Sequence, residues 1–334
     1  MKKSGWINSE AVVFLFATSL LAGPARAQAP ANVTVNVFQG GFNWPCFVGQ
    51  QKGFFERNGI TVTLQPTPNS VAQMTGLAEG KFDIAITAFD NIVAYVEGQG
   101  EAPIGPQPEF FAFMGSDNGF LSLVAEPDVK TIADLKGKTL SVDARTTGYA
   151  FVLFDILRRN GLQESDYKIE KVGGTTMRWD ALREGKQSGT LLSAPFNFLA
   201  TEQHFNELAR AIEVIGPYQG NVAATRRSWA KENRTKVIAF IRGYAQAIEW
   251  LHDKANREEA ISILLNNVKM SPELSQRTYD ELLDPKDGFF RKARVSPEGM
   301  WTVLALRSRY ADARKKLADP LKYYDSSYYD AAMR

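Results

Sequence analysis

Thr87, Asp90 and Asn91 emerge together behind the apolar run Ile84, Ala85 and Ile86, placing a hydroxyl, a carboxylate and a carboxamide within five positions. Such groups hold a solute by hydrogen bonds and charge; they are not a nucleophile with its base. Three consecutive apolar residues fit a strand of a parallel sheet covered on both faces. Ligands of α/β sheets bind at the carboxyl ends of such strands. Thr87 or Asp90 would equally serve as the cap of a helix that begins near Asn91 and carries Ile92, Val93 and Tyr95. Capping and ligand binding are compatible roles.

Motifs for covalent chemistry do not complete. The two histidines, His204 and His252, have neither a partner histidine at zinc-ligand spacing nor a nearby cysteine. Gly137-Lys138-Thr139 ends like a phosphate loop, but Ile132 stands where the first glycine is required. No Gly-x-Ser-x-Gly elbow occurs. Cys46, the one cysteine, is read as a small structural residue because no histidine base can be assigned to it. The chain is therefore read as a non-enzyme, with no cofactor and no metal.

Lys2 and Lys3 precede an apolar run at residues 11–22, followed by Ala25-Arg26-Ala27. That is the pattern of a secretory signal peptide cleaved after Ala27. The run is shorter than the roughly 20 residues that a transmembrane helix needs. Residues 1–27 are thus expected to be removed and the product to be exported to the periplasm. The remainder carries 36 Lys plus Arg against 36 Asp plus Glu, a neutral balance that offers nucleic acid no electrostatic footprint. A single cysteine allows no internal disulfide in an oxidising compartment, so stability must come from the core.

The pattern of elements repeats. Val33 to Phe38 alternates as a strand, and Pro45 stands at a first helical position after a turn-rich loop. A strand over residues 60–64 and a helix from Val71 follow. A second block begins with extended segments at 110–114 and 120–125, a strand at 139–142 and a helix at 150–157, which Asn160-Gly161 stops. Residues 177–184 read as a helix and 191–194 as a short strand, with Pro195 opening a helix through Phe198 to Ala211. From Ala230 the chain is mostly helical. Val237, Phe240, Ile241, Tyr244 and Ile248 form an apolar stripe facing a core.

FVGQQKGFFERNGITVTL (residues 47–64), AEGKFDIAI (78–86) and TIADLKGKTLSVD (131–143) occur in an order that resembles the periplasmic substrate-binding proteins of ABC importers. The resemblance is to the branch for nitrate, sulfonates, taurine and pyrimidine precursors of thiamine. It implies an α/β, two-lobed type II binding fold, each lobe a mostly parallel sheet flanked by helices, with two crossover strands as hinge. Lobe one would comprise residues 32–116 and 222–334, and lobe two residues 117–221. It also implies a small-molecule solute, an importer permease as partner and a monomeric receptor.

Carried over by position, the cleft loops fall at residues 42–44 (Phe42, Asn43, Trp44), 69–71 (with Asn69 and Ser70), 87–91, 146–149 (Thr146, Thr147, Gly148, Tyr149), 175–178 (with Thr176 and Arg178) and 194–197 (with Phe196 and Asn197). Each precedes a helix, and helix starts present unsatisfied amides that favour anions. Arg145 or Arg178, with Arg178 preferred, would clamp a carboxylate or sulfonate. Tyr218, Gln219 and Asn221 would reach the solute from the second crossover. Phe42, Trp44, Phe89, Tyr149, Trp179 and Phe196 point to an organic anion, an aromatic one included. Asp90 would repel an anion unless it caps a helix or meets an amino group, and a pyrimidine-type ligand would use it. The stretch GKQSGTLL departs from the family's habit, with Gln187 and Ser188 where an acidic residue commonly stands. The competing class is an enzyme similar to the thiamine pyrimidine synthase. That enzyme depends on a cysteine-rich motif, histidines and a lysine-bound pyridoxal phosphate, against which the single cysteine and the leader both count.

Overall fold

The computed structural model describes residues 1, 2, 5, 30–311 and 315–334. Apart from residues 1, 2 and 5, the expected leader and its cleavage point lie outside the described residues.

Among the described residues, ten strands form two five-stranded mixed sheets. The first holds β1 (Ala31–Val37), β2 (Ile60–Pro66), β3 (Ile84–Ala88), β4 (Phe110–Gly115) and, returning late in the chain, β10 (Asn221–Arg226), in the order β2-β1-β3-β10-β4. The second holds β5 (Ser122–Ala125), β6 (Thr139–Val142), β7 (Lys168–Lys171), β8 (Gly189–Leu192) and β9 (Asn206–Arg210), in the order β7-β6-β8-β5-β9. β3 and β4 are buried at every position, as strands covered by helices on both faces must be. Val35 pairs with Ile84 and Val37 with Ile86 in parallel register, which brings the ends of β1 and β3 to one edge.

The apolar stripe expected after residue 230 lies on the helix Arg234–His252, and all five of its residues are buried. Phe240 stacks on Phe55 and meets Phe113 edge to face, tying this helix to the first sheet's core. The tyrosine-rich end also packs: Tyr323, Tyr324 and Tyr328 are buried. Ala112 donates to the carbonyl of Tyr323, and Asp325 donates back to Ala112, so the tail covers the open edge of β4.

Two elements differ from the sequence expectation. The helix expected through Ala211 ends at Glu202; His204 adopts a φ of 66°, and β9 then pairs antiparallel with β5 before a short helix, Ala211–Ile215. β7 was not foreseen because its sequence, KIEK, is that of an exposed edge strand with three exposed charged positions.

The chain passes between the sheets twice, at residues 116–121 and 211–220. The two passages touch backbone to backbone: a Cβ on Gly220 would stand 2.0 Å from the Gly119 nitrogen. Asp117, fully buried, clamps them by accepting from the backbone nitrogens of Gly119 (2.8 Å) and Asn221 (3.1 Å) and from Asn221 Nδ2 (3.0 Å). Burial pushes the Asp117 carboxyl up, and the Asn221 and Gly119 donors hold it back.

Candidate solute-binding site

A cavity of about 50 Å³ lies where the carboxyl ends of strands from both sheets face one another. Phe38 follows β1, Ala88 ends β3, Asp143 follows β6 and Ser193 follows β8; all four line it. Thr147 and Tyr149 reach it from the start of the helix Gly148–Arg159, and Thr175 and Arg178 from the helix Thr175–Arg183. Gly119 closes it from the first passage between the sheets and Asn221 from the start of β10, just after the second. At roughly 10–15 Å³ per water-sized centre, the space suits a solute of a few heavy atoms.

Hydrogen bonds across the cleft hold the two halves together over this cavity. The Ser70 nitrogen donates to Asp143 Oδ2 at 3.1 Å, Gly174 to the Pro68 carbonyl at 2.9 Å and Gly41 to the Ala194 carbonyl at 3.2 Å. Gly174 has no Cβ to spare here, since one would stand 3.1 Å from both Phe38 and the Pro68 oxygen.

Arg178 is the dominant charged group. It is buried, and its guanidinium donates to Thr190 Oγ1 (3.1 Å), the Gly173 carbonyl (2.7 Å), Thr175 Oγ1 (3.3 Å) and the Leu191 carbonyl (3.0 Å). Those bonds employ four of its five N–H groups. Among the described residues no carboxylate lies within 4 Å of it. Burial pulls its pKa below the usual arginine value, and Asp143 opposes that pull. Asp143 is pushed up by burial, with Ser70 and Arg178 acting the other way. Tyr149 directs a buried hydroxyl without a partner toward Gly119, where a Cβ would stand 2.9 Å from it.

Of the residues expected at the site, Phe42, Asn91, Thr147, Tyr149, Arg178 and Asn221 line the cavity. The others have different engagements. Trp44 is a core residue whose Nε1 donates to the Ala260 carbonyl. Asn43 donates to the Phe38 carbonyl, Asn69 caps its helix by accepting from Ala72, and Ser70 contributes its bond to Asp143. Thr87 receives the carboxamide of Asn91. Asp90 is fully committed to Arg307, which donates to both its oxygens at 2.8 and 2.5 Å. The same guanidinium holds the Thr146 carbonyl at 2.6 Å. Gly148 lets its helix pass Asp90, whose Cβ would lie 2.3 Å from a Cβ placed there. Thr176 is half-buried beside the cavity's Thr175. Phe196 packs with Trp179, Leu182 and Leu192. Asn197 donates to Glu281 at 3.1 Å, and Gln219 braces the second passage by donating to the Asn221 carbonyl and accepting from Ser296. Arg145, the second clamp considered, pairs with Glu164 on the surface. Of the six aromatics taken as facing the solute, Trp44, Phe89, Trp179 and Phe196 pack elsewhere. Phe38 takes a place among the lining aromatics instead.

Sequence reasoning missed Phe38, Gly119, Asp143, Gly174 and Ser193 at the cavity, and Asp117 behind it; Ala88 falls within the expected loop 87–91. Asp143 closes the motif TIADLKGKTLSVD and directly follows a strand, the same signal that singled out Thr87.

Glu281 carries a pH-dependent link across the cleft. Burial pushes its carboxyl up to about 7, with Asn197 and Arg210 countering and Glu207 reinforcing. A carboxyl raised in the folded state stabilises while protonated, so its contribution fades as pH climbs from its ordinary value of 4.5 through about 7. The stability is expected to fall over that window by up to about 3 kcal/mol from this group, and the unfolding midpoint with it. Glu281→Gln should flatten the profile in a thermal melt series; an unchanged slope would remove Glu281 as its source.

Two α/β lobes meeting at a cavity between strand ends constitute the two-lobed periplasmic binding fold of type II. The model of the NMT1/THI5-like family matches residues 43–258, and the chain belongs to that family. YtlA of Bacillus subtilis is 34% identical over 236 residues, covering 68% of this chain and 67% of YtlA. The bicarbonate transport ATP-binding protein CmpC of Synechococcus elongatus is 24% identical over 291 residues, covering 80% of this chain and 43% of CmpC. The chain thus spans less than half the length of that relative. Among solved structures, the periplasmic nitrate-binding protein NrtA of Synechocystis superposes with a TM-score of 0.76 at 14% identity, over 91% of this chain and 88% of NrtA. The fold also serves an enzyme: the desulfurization enzyme DszB superposes with a TM-score of 0.60 at 10% identity, over 90% of this chain and 99% of DszB. Fold alone therefore assigns no chemistry, and the site must. Among the described residues no group of metal-ligating side chains and no membrane-crossing helix occurs.

Proposed function

We propose that this chain is the exported solute receptor of an ABC importer, capturing a small organic anion, carboxylate or sulfonate, between its lobes. Residues 32–116 with 222–334 form lobe one and 117–221 lobe two, and the passages clamped by Asp117 serve as hinge. The observation that carries the reading is Arg178: a buried cation at the cavity wall with an N–H to spare and no carboxylate in ion-pair contact. A buried charge needs a counter-charge, and an anionic solute supplies it. Closure around the solute stabilises one arrangement of the lobes, which a membrane permease then reads. Reaction chemistry is not part of the reading, since the lining groups hold and orient but include no nucleophile with its base. A pyrimidine-type ligand rested on Asp90, and Arg307 engages that carboxylate on both oxygens. An aromatic moiety is not retained either, because most of the aromatics that argued for it pack in cores.

Thermal melts of mature chain, residues 28–334, against small carboxylates, alkyl sulfonates, nitrate and hydrogencarbonate test this. A ligand at about 100 times its Kd adds roughly 2.7 kcal/mol and raises the midpoint. A rise with an organic anion is the expected result. A rise confined to the inorganic anions, or none across the panel, contradicts the reading.

A further inference from the structure

Arg178 and Asp143 are the two charged residues lining the cavity, and they are not within ion-pair distance of each other. Asp143 accepts from the Ser70 backbone nitrogen through both oxygens, at 3.3 and 3.1 Å, which leaves lone pairs available to a further donor. Among the described residues, the charges behind the wall offer no other cation. Asp90 and Arg307 neutralise one another, and Asp117 is enclosed by Asn221 and Gly119. The cavity therefore holds one cation and one carboxylate, balanced but separated. A simple monoanion seated beside Arg178 would leave the carboxylate of Asp143 uncompensated in a closed space, which is costly. A solute that brings its own ammonium keeps the cavity neutral and meets both walls.

We propose, building on the receptor reading above, that the solute is a small zwitterion whose carboxylate or sulfonate faces Arg178 and whose amino group donates to Asp143. The cavity's size, about 50 Å³, confines the spacer between the two groups to a few atoms and excludes long chains. Asp143 thereby sets specificity, while Arg178 supplies the affinity for any anion.

Isothermal titration of the mature chain with matched pairs tests this: glycine against acetate, β-alanine against propionate, and 2-aminoethanesulfonate against ethanesulfonate. In at least one pair the amino compound should bind about 10-fold tighter or more, the worth of one charge-assisted hydrogen bond. The pair that responds separates an amino acid from an amino sulfonate. Asp143→Asn keeps an acceptor for Ser70 and should shrink that ratio to about 3-fold or less, with the amino compound losing affinity. The wild-type comparison stands alone if the variant does not fold. Equal or tighter binding of the compounds without an amino group overturns this inference and leaves the receptor reading intact. Binding by neither member of any pair overturns both.

Discussion

Arg307→Ala is expected to lower the stability of the chain by about 3–5 kcal/mol, because it strands Asp90 as an unpaired carboxylate in the core. Both side chains are essentially inaccessible, at 0% and 1% exposure. The guanidinium grips both Asp90 oxygens, holds the carbonyl of Thr146 and reaches Gln99 Oε1 at 3.3 Å. It also lies 4.9 Å over the ring of Phe151. One side chain therefore joins the helix Phe89–Val96, the helix Pro297–Tyr310 that carries it, and the loop that leads into the helix Gly148–Arg159. Chemical denaturation gives the value directly. The double variant Asp90→Asn with Arg307→Met should lose less than the two single losses combined, since it removes the stranded charge as well as its partner. A single-variant loss below about 1 kcal/mol would show that the pair is not what fastens these helices.

Arg178→Ala should weaken binding of the tightest anion from the titration panel by about 100-fold or more, which corresponds to about 2.7 kcal/mol. Removing a charge-assisted partner from an enclosed site accounts for that scale. The substitution also deletes four internal hydrogen bonds, to residues 173, 175, 190 and 191, so the unfolding midpoint should drop as well. Arg178→Lys separates the two effects. It restores a positive charge without the planar fork, and should recover part of the affinity while leaving the scaffold bonds incomplete. Full affinity in the Ala variant, once folding is verified, would remove Arg178 from the site.

The sequence made much of this architecture readable where burial is one-sided or complete. The unbroken apolar run of β3 and the stripe from Val237 to Ile248 each follow from a single period, and both are buried as that period requires. β7 escaped because an edge strand of alternating charge carries no apolar signal. β9 escaped because the break before it, His204 at positive φ, comes from a residue that is not glycine. At the site, strand ends were legible but partners were not. Asp90 was correctly read as following a strand, yet its counter-ion lies 217 positions away on a helix whose surface pattern gives no hint of it. Asp143 was passed over although it directly follows β6, because nothing local distinguishes a carboxylate turned toward a cleft from one turned toward water. The aromatic residues near strand ends misled for the same reason: proximity in sequence does not decide which side of a helix start faces the cavity, and four of six turned into cores.

The most direct test of the central claim is a crystal structure of the mature chain grown with the tightest ligand from the titrations. The account predicts the solute between the lobes, its anionic group within hydrogen-bond distance of Arg178 and near the Tyr149 hydroxyl, with Asp90 still held by Arg307. A solute seated elsewhere, such as the surface groove between Arg57 and Arg242, or one in the cleft that makes no contact with Arg178, would contradict it.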